Sequence, residues 1–229
     1  MALDSVNLAT SSFLPQRHDL ASLKRAATDC RGCDLFRRAT QTVFGQGPAH
    51  ANVIFVGEQP GEQEDKAGLP FVGPAGQLLS TCMEEAGINR AAVYLTNAVK
   101  HFKWEPRGKR RIHEKPNLTE VRACRPWLNA EIEAIHPLLI VCLGATAAQA
   151  LLGPHFRVTQ SRGKIQSVTG HPPILATIHP SAILRARTDG DREQQRKAFV
   201  DDLIVVRKAL SKRKSSKLNP ADAQTGSLG

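Results

Sequence analysis

The chain has 229 residues, 41% of them hydrophobic, which is enough for one substantial core and leaves no composition break to mark a second domain. Its 31 Lys and Arg against 21 Asp and Glu give a net charge of +10 and a pI near 9.7, a balance that suits a polyanion such as nucleic acid better than a small metabolite. No apolar run approaches the roughly 20 residues needed to span a bilayer, and Met1 to Ser12 lacks the basic start and apolar middle of a signal peptide, so a cytoplasmic protein without membrane attachment is expected.

In chain order, residues 19–27 read as a helix leading into Cys30-Arg31-Gly32-Cys33. Residues 52–56 read as a buried strand, followed by a Gly- and Pro-rich loop to Gly76. A helix over 77–86 is ended by Gly87. A strand at 93–96, a long polar loop over 103–116 and a helix over 119–135 come next. The strand at 138–143 runs through Gly144 into an Ala-rich helix at 145–152, the pattern of a βα unit. Residues 164–168 form a candidate strand, 174–178 the last strand, and 192–210 a final amphipathic helix. No internal repeat is visible. Residues 1–15 are expected to be flexible, 16–210 to form one monomeric domain, and 211–229 to be a disordered basic and polar tail. This alternation predicts an α/β fold, a three-layer α/β/α arrangement around a central, mostly parallel open sheet.

The polar residues sit where such a sheet does chemistry. Gly57-Glu58-Gln59-Pro60-Gly61 follows directly on the first apolar strand, Asn97 ends the second, and His179-Pro180-Ser181 follows the last. If these strands are parallel neighbours, their carboxyl ends share the crevice in which open α/β sheets bind ligands. A carboxylate, two amides and an imidazole then converge. The bland alternative, that Glu58 and Gln59 only cap a turn, is disfavoured because Pro60-Gly61 already makes that turn and a carboxylate beside a buried strand end is costly unless used.

Five cysteines in a reducing compartment argue against a disulfide framework. Cys30-x2-Cys33 is the strongest local metal signal and does not by itself name the metal. Cys124 lies in the helix after the polar loop, whereas Cys142 and Cys82 read as small core residues. The fourth ligand is missing from this set, with His101 as the candidate.

Four stretches, Gly57 to Gly61, Gly68-Leu69-Pro70-Phe71-Val72-Gly73-Pro74-Ala75-Gly76, Thr96-Asn97-Ala98-Val99-Lys100 and His179-Pro180-Ser181, together resemble the motifs of the iron–sulfur uracil-DNA glycosylases. Within that superfamily, Gln59 and Lys109-Arg110-Arg111-Ile112-His113 in a lengthened loop resemble the UdgX branch; ordinary family 4 members have Ala at the Gln59 position, a shorter loop, and Cys in place of His101. The resemblance implies a uracil-DNA glycosylase-like fold and a structural [4Fe–4S] cluster held by Cys30, Cys33, His101 and Cys124.

The residue types suit uracil excision. An enzyme acting on a base in DNA extrudes it and reads its edge in a closed pocket. Phe71 can stack on the pyrimidine, with Gly57 and Gly61 lining the approach, and the Asn97 amide can donate to uracil O4 and accept from N3–H, a pattern cytosine reverses. By resemblance, Glu64 lies near C5 and disfavours the thymine methyl. Cleavage builds positive charge on the sugar and negative charge on the base. His179 is placed by its motif to hydrogen-bond the departing O2, and Glu58 to stabilise the oxocarbenium or orient the attacking group.

The loop at 103–116 carries six Lys and Arg against two Glu, and its bland reading is a phosphate-holding loop in which Lys109, Arg110, Arg111 and His113 touch DNA alongside Ser181. The UdgX resemblance implies more, that His113 attacks the sugar C1′ after uracil leaves and stays bonded to it. The partner is then uracil-containing DNA, with tolerance of single strands suggested by a loop whose one aromatic is Trp104. Two other readings are a family 4-like enzyme that turns over and a non-catalytic zinc module that binds nucleic acid.

Overall fold

In the computed structural model of the protein, residues 8–218 are described. Five strands form one sheet: β1 (Val53–Gly57), β2 (Tyr94–Asn97), β5 (Leu139–Leu143), β6 (Ile165–Gln166) and β7 (Ile174–Thr177). Their order is β2-β1-β5-β7-β6, parallel throughout except for β6, which pairs antiparallel with β7 at the edge. The four parallel strands are buried at every position, which is why each reads as a continuous apolar run.

Successive side chains on these strands go to opposite layers. Ile54, Val56, Ile140, Cys142, Ile174 and Ala176 pack under α2 (Leu20–Ala27), α5 (Leu118–Ile135) and α6 (Ala145–Leu152). Phe55, Leu95, Val141, Leu143 and Leu175 pack under α4 (Pro74–Glu85), α8 (Pro180–Leu184) and α9 (Asp189–Leu218). The three-layer α/β/α architecture is thus as expected. In α9, Phe199, Val200, Leu203 and Val206 are the buried stripe, at the spacing of one helix face. The thiols of Cys82 and Cys142 are fully enclosed in these cores, as their sequence contexts suggested. Among the described residues, no helix is long and apolar enough to cross a membrane.

Several expectations change. The loop at 103–116 is a β-hairpin, β3 (Trp104–Arg107) and β4 (Arg110–His113), closed by a two-residue Gly108-Lys109 turn. Its strands lack the apolar alternation of a half-buried ribbon because polar anchors and ion pairs, described below, hold its inner face. A six-residue helix, α3 (Glu62–Ala67), interrupts the expected Gly- and Pro-rich loop. At the amino end, α1 (Leu8–Ser11) is helical and Phe13 and Leu14 pack on the core, so the part of the expected flexible segment that is described, 8–15, is folded. Residues 1–7 lie outside the described residues. The last helix runs eight residues past the expected 210 to Leu218, shortening the expected tail, whose remainder at 219–229 lies outside them too. The candidate strand at 164–168 contracts to β6, and the turn Val158–Ser161 is helical, α7.

Candidate active site

The sheet order puts β1 between β2 and β5, so successive strands are added first on one side of β1 and then on the other, and its carboxyl end opens onto a crevice. Glu58 stands there, immediately after β1. Its backbone carbonyl accepts from Val99 N–H at 3.0 Å, tying it to the segment that follows Asn97. One carboxylate oxygen, Oε2, accepts from Thr146 Oγ1 at 2.5 Å, and the other, Oε1, is 3.6 Å from His113 Nε2. His113 ends β4 with its side chain half exposed, and its ring lies 6.1 Å from that of the buried Phe102.

Asn97 ends β2 opposite Gly57 in the parallel register. Its residue surface is 3% exposed. A Cβ at Gly57 would meet Asn97 Oδ1 at 2.3 Å and Phe71 Cζ at 2.7 Å. Gly57 is therefore the place where backbone, amide and ring crowd together, and any larger residue would close the space above Asn97. Phe71 holds a left-handed backbone (φ 58) with its carbonyl against Gly76, where a Cβ would come within 2.0 Å of that oxygen. Its ring stacks toward His179 at 6.4 Å between centroids and 26° between planes.

His179 caps α8. Ser181 N–H donates to its Nδ1 at 3.1 Å, with Ser181 Oγ 2.8 Å from the same nitrogen. Nδ1 is thus an acceptor, which leaves Nε2 to carry the ring proton. Burial pushes the imidazole down to about 4, and the nearby Arg185 and His113 act in the same direction. A neutral donor therefore sits at the end of β7. Ser181, expected to touch DNA, uses both its N–H and its hydroxyl on this ring instead.

The other expected site residues serve as supports. The buried Gln59 amide donates through Nε2 to the carbonyls of Lys103 (3.2 Å) and Glu114 (3.0 Å), and its Oε1 accepts from Lys103 N–H at 3.1 Å. Those two residues close the base of the hairpin, where Glu114 N–H also donates to Lys103 O. Gln59 thus clamps the element that carries His113. Both oxygens of Glu64 are likewise taken, by Gly61 N–H at 3.0 Å and Gly73 N–H at 2.7 Å, so it braces the two ends of the loop around α3.

Hairpin pairing places Trp104 with His113 and Pro106 with Arg111 on one face, and Arg107 with Arg110 on the other. On the first face Arg111 donates to the fully buried Asp65 at 2.7 Å and lies 5.4 Å from the rings of Phe102 and Trp104. Asp65 also accepts from Thr40 N–H and its hydroxyl. Arg111 thus ties the hairpin to Asp65, whereas Lys109 and Arg110 are exposed at the tip.

Behind Asn97 lies a polar network that the sequence did not announce. Lys100 Nζ donates to Asn97 O and Thr96 Oγ1, each at 2.7 Å, and to Glu131 Oε2 at 2.5 Å; both charged residues are enclosed. Glu131 Oε1 accepts in addition from Gly45 N–H and Tyr94 OH. Every oxygen has a donor, which is the condition under which a buried pair is tolerated. The signal was present: Glu131 falls on the same helical face as Leu128 and Ile135.

Cys30, Cys33 and Cys124 lie near enough to act on one another electrostatically. Among the described residues no group of three or more His, Cys, Asp or Glu side chains is placed to hold a metal ion. His101 Nε2 is 2.9 Å from Thr42 Oγ1, Cys30 Sγ accepts from Trp127 Nε1, and Cys124 Sγ accepts from Lys100 N–H. Burial pushes the Cys33 thiol up and the Cys124 thiol to about 12. A shallow hollow of about 520 Å³ lined by Ser80, Glu84 and Asn89, at the far end of α4, includes none of the groups described above.

Comparison with known proteins agrees with the fold. A family model described as the uracil DNA glycosylase superfamily matches residues 44–204. A type-4 uracil-DNA glycosylase of Thermotoga maritima is 38% identical over 184 residues, covering 80% of this chain and 90% of the relative. One from Archaeoglobus fulgidus is 34% identical over 201 residues, 85% and 94% of the two chains. A type-5 uracil-DNA glycosylase of Thermus thermophilus is 30% identical over 159 residues, 61% and 68%.

Proposed function

Since the chain belongs to the uracil DNA glycosylase superfamily, we propose that it excises uracil from DNA and then holds the sugar it has exposed through His113. The base enters between Phe71 and the Asn97 amide, whose donor and acceptor match uracil O4 and N3–H and mismatch cytosine; each mispaired buried group costs about 1–3 kcal/mol. The C1′–N1 bond breaks with its electron pair leaving on uracil. His179 Nε2–H donates to O2 of that anion, and the neutrality of the ring makes this a hydrogen bond rather than a proton transfer. The carboxylate of Glu58 faces the positive charge on the sugar. His113 then attacks C1′ through its unprotonated nitrogen, forming a C–N bond. The proton on its other nitrogen passes through solvent to the uracil anion, leaving a neutral N-alkyl imidazole, which is a poor leaving group.

The observation that carries this reading is the 3.6 Å approach of His113 to Glu58 at the carboxyl end of β1, held by the Gln59 clamp. The type-4 relatives favour a second reading, in which water takes C1′ and the enzyme turns over. Single-stranded DNA with one uracil, incubated with the protein, boiled in detergent and run on a denaturing gel, separates the two. Capture gives a uracil-dependent band of low mobility that is absent in His113→Ser, while His113→Ser still releases uracil. Alkali-labile free DNA from the wild-type protein supports turnover, and an inactive His113→Ser that still binds uracil-DNA refutes the nucleophile.

A further inference from the structure

Thr146 is the second residue of α6, which follows β5 through Gly144. A β-branched residue gains nothing there from helix propensity, and its hydroxyl does not cap the helix. Among the described residues its Oγ1 has one partner, Glu58 Oε2, at 2.5 Å. Thr146 is only 5% exposed, so water does not compete for that hydroxyl. The contact joins residues 88 positions apart across the crevice where β1 and β5 lie side by side. It also brings one carboxylate oxygen to the first turn of α6, where the helix dipole favours negative charge. With Oε2 held, Oε1 is turned to the position 3.6 Å from His113.

We propose that Thr146 is a positioning residue for glycosidic bond cleavage, fixing Glu58 by one oxygen so that the other faces the sugar. This rests on the excision reading above. Loss of the hydroxyl leaves the carboxylate in place and free to rotate, and misplacement of such a group by an ångström costs about 100-fold in rate. DNA affinity is untouched, since Thr146 faces Glu58 and not the strand.

The test compares wild type, Thr146→Val, Thr146→Ser, Glu58→Gln and the Thr146→Val/Glu58→Gln double variant. The single-turnover rate of uracil release is measured on a uracil-containing single strand, and the Kd on the same strand carrying a non-cleavable uracil nucleotide. Thr146→Val, which keeps shape and removes the donor, is expected to slow release about 10- to 100-fold with Kd changed less than about twofold. Thr146→Ser is expected to restore the rate to within about threefold. In the Glu58→Gln background Thr146→Val is expected to add nothing, the non-additivity of two groups acting as one. A merely structural threonine would lower both rates by the same factor and would not be rescued by serine. A Thr146→Val rate near wild type, or full additivity with Glu58→Gln, overturns the proposal while leaving the excision reading standing. A wild-type protein that releases no uracil overturns both.

Discussion

Replacing Gln59 by Ala removes three hydrogen bonds from the base of the hairpin, two from its Nε2 to the carbonyls of Lys103 and Glu114 and one to its Oε1 from Lys103 N–H. At about 1 kcal/mol net for each bond, the change weakens docking of the hairpin by about 2–3 kcal/mol, allowing for water that replaces part of the loss. At 1.4 kcal/mol for each factor of ten, the detached population rises about 30- to 150-fold. The ladder within the hairpin is untouched, and so are the bond from Trp104 Nε1–H to Arg38 O and the pair between Arg111 and Asp65. The loss is therefore local. Hydrogen exchange should show amides of residues 103–114 losing protection by that factor while the strands of the central sheet keep theirs. Capture through His113 should fall further than uracil release, because Glu58 and His179 stand on the sheet and not on the hairpin. Unchanged exchange in the hairpin, or an equal loss of protection in hairpin and sheet, would refute the reasoning.

Two further outcomes are expected. In a nitrogen-detected NMR titration, His179 should show its proton on Nε2 at neutral pH and titrate near 4; a midpoint at the ordinary 6.5 would contradict the burial described. The sign for stability follows, since between 6.5 and about 4 the unfolded chain binds a proton that folded His179 resists. Lowering pH through that window should thus destabilise the protein, with no such effect above it, and His179→Gln should flatten the fall in urea midpoint. Lys100→Met should destabilise by about 3–5 kcal/mol in urea denaturation because it leaves Glu131 buried without its cation, whereas Lys100→Met combined with Glu131→Leu should recover much of that; equal losses in both would mean the pair matters only through its packing volume.

The sheet was legible because parallel strands buried on both faces leave an unmistakable apolar run, and the residues that follow them marked the candidate site: Glu58 after β1, Asn97 at the end of β2, His179 after β7. The hairpin was not, since WEPR and RRIH have no apolar period of two and are held by Arg111, Trp104 and Gln59 through long-range polar contacts. The same blindness affected Thr146, a small polar residue in an Ala-rich helix whose partner is 88 positions away. Gln59, Glu64, Arg111 and Ser181 were recognised as belonging to the site, yet sequence pattern could not tell a side chain that meets the ligand from one that holds its neighbour. The cysteine spacing suggested a ligand set without showing the surroundings of its members, where Cys30 accepts from Trp127, Cys124 from Lys100 N–H, and His101 meets Thr42.

The left-handed backbone of Phe71, with its carbonyl seated on Gly76, means that the aromatic wall is set when the chain folds and not when a base arrives. A pocket already formed gives up little conformational freedom on binding. On the excision proposed above, the free base keeps that advantage as well, because the contacts proposed for Phe71, Asn97 and His179 involve the ring and none of them needs the sugar. Rigidity that favours selection would then also favour product inhibition, with the departing uracil held over the same amide that admitted it.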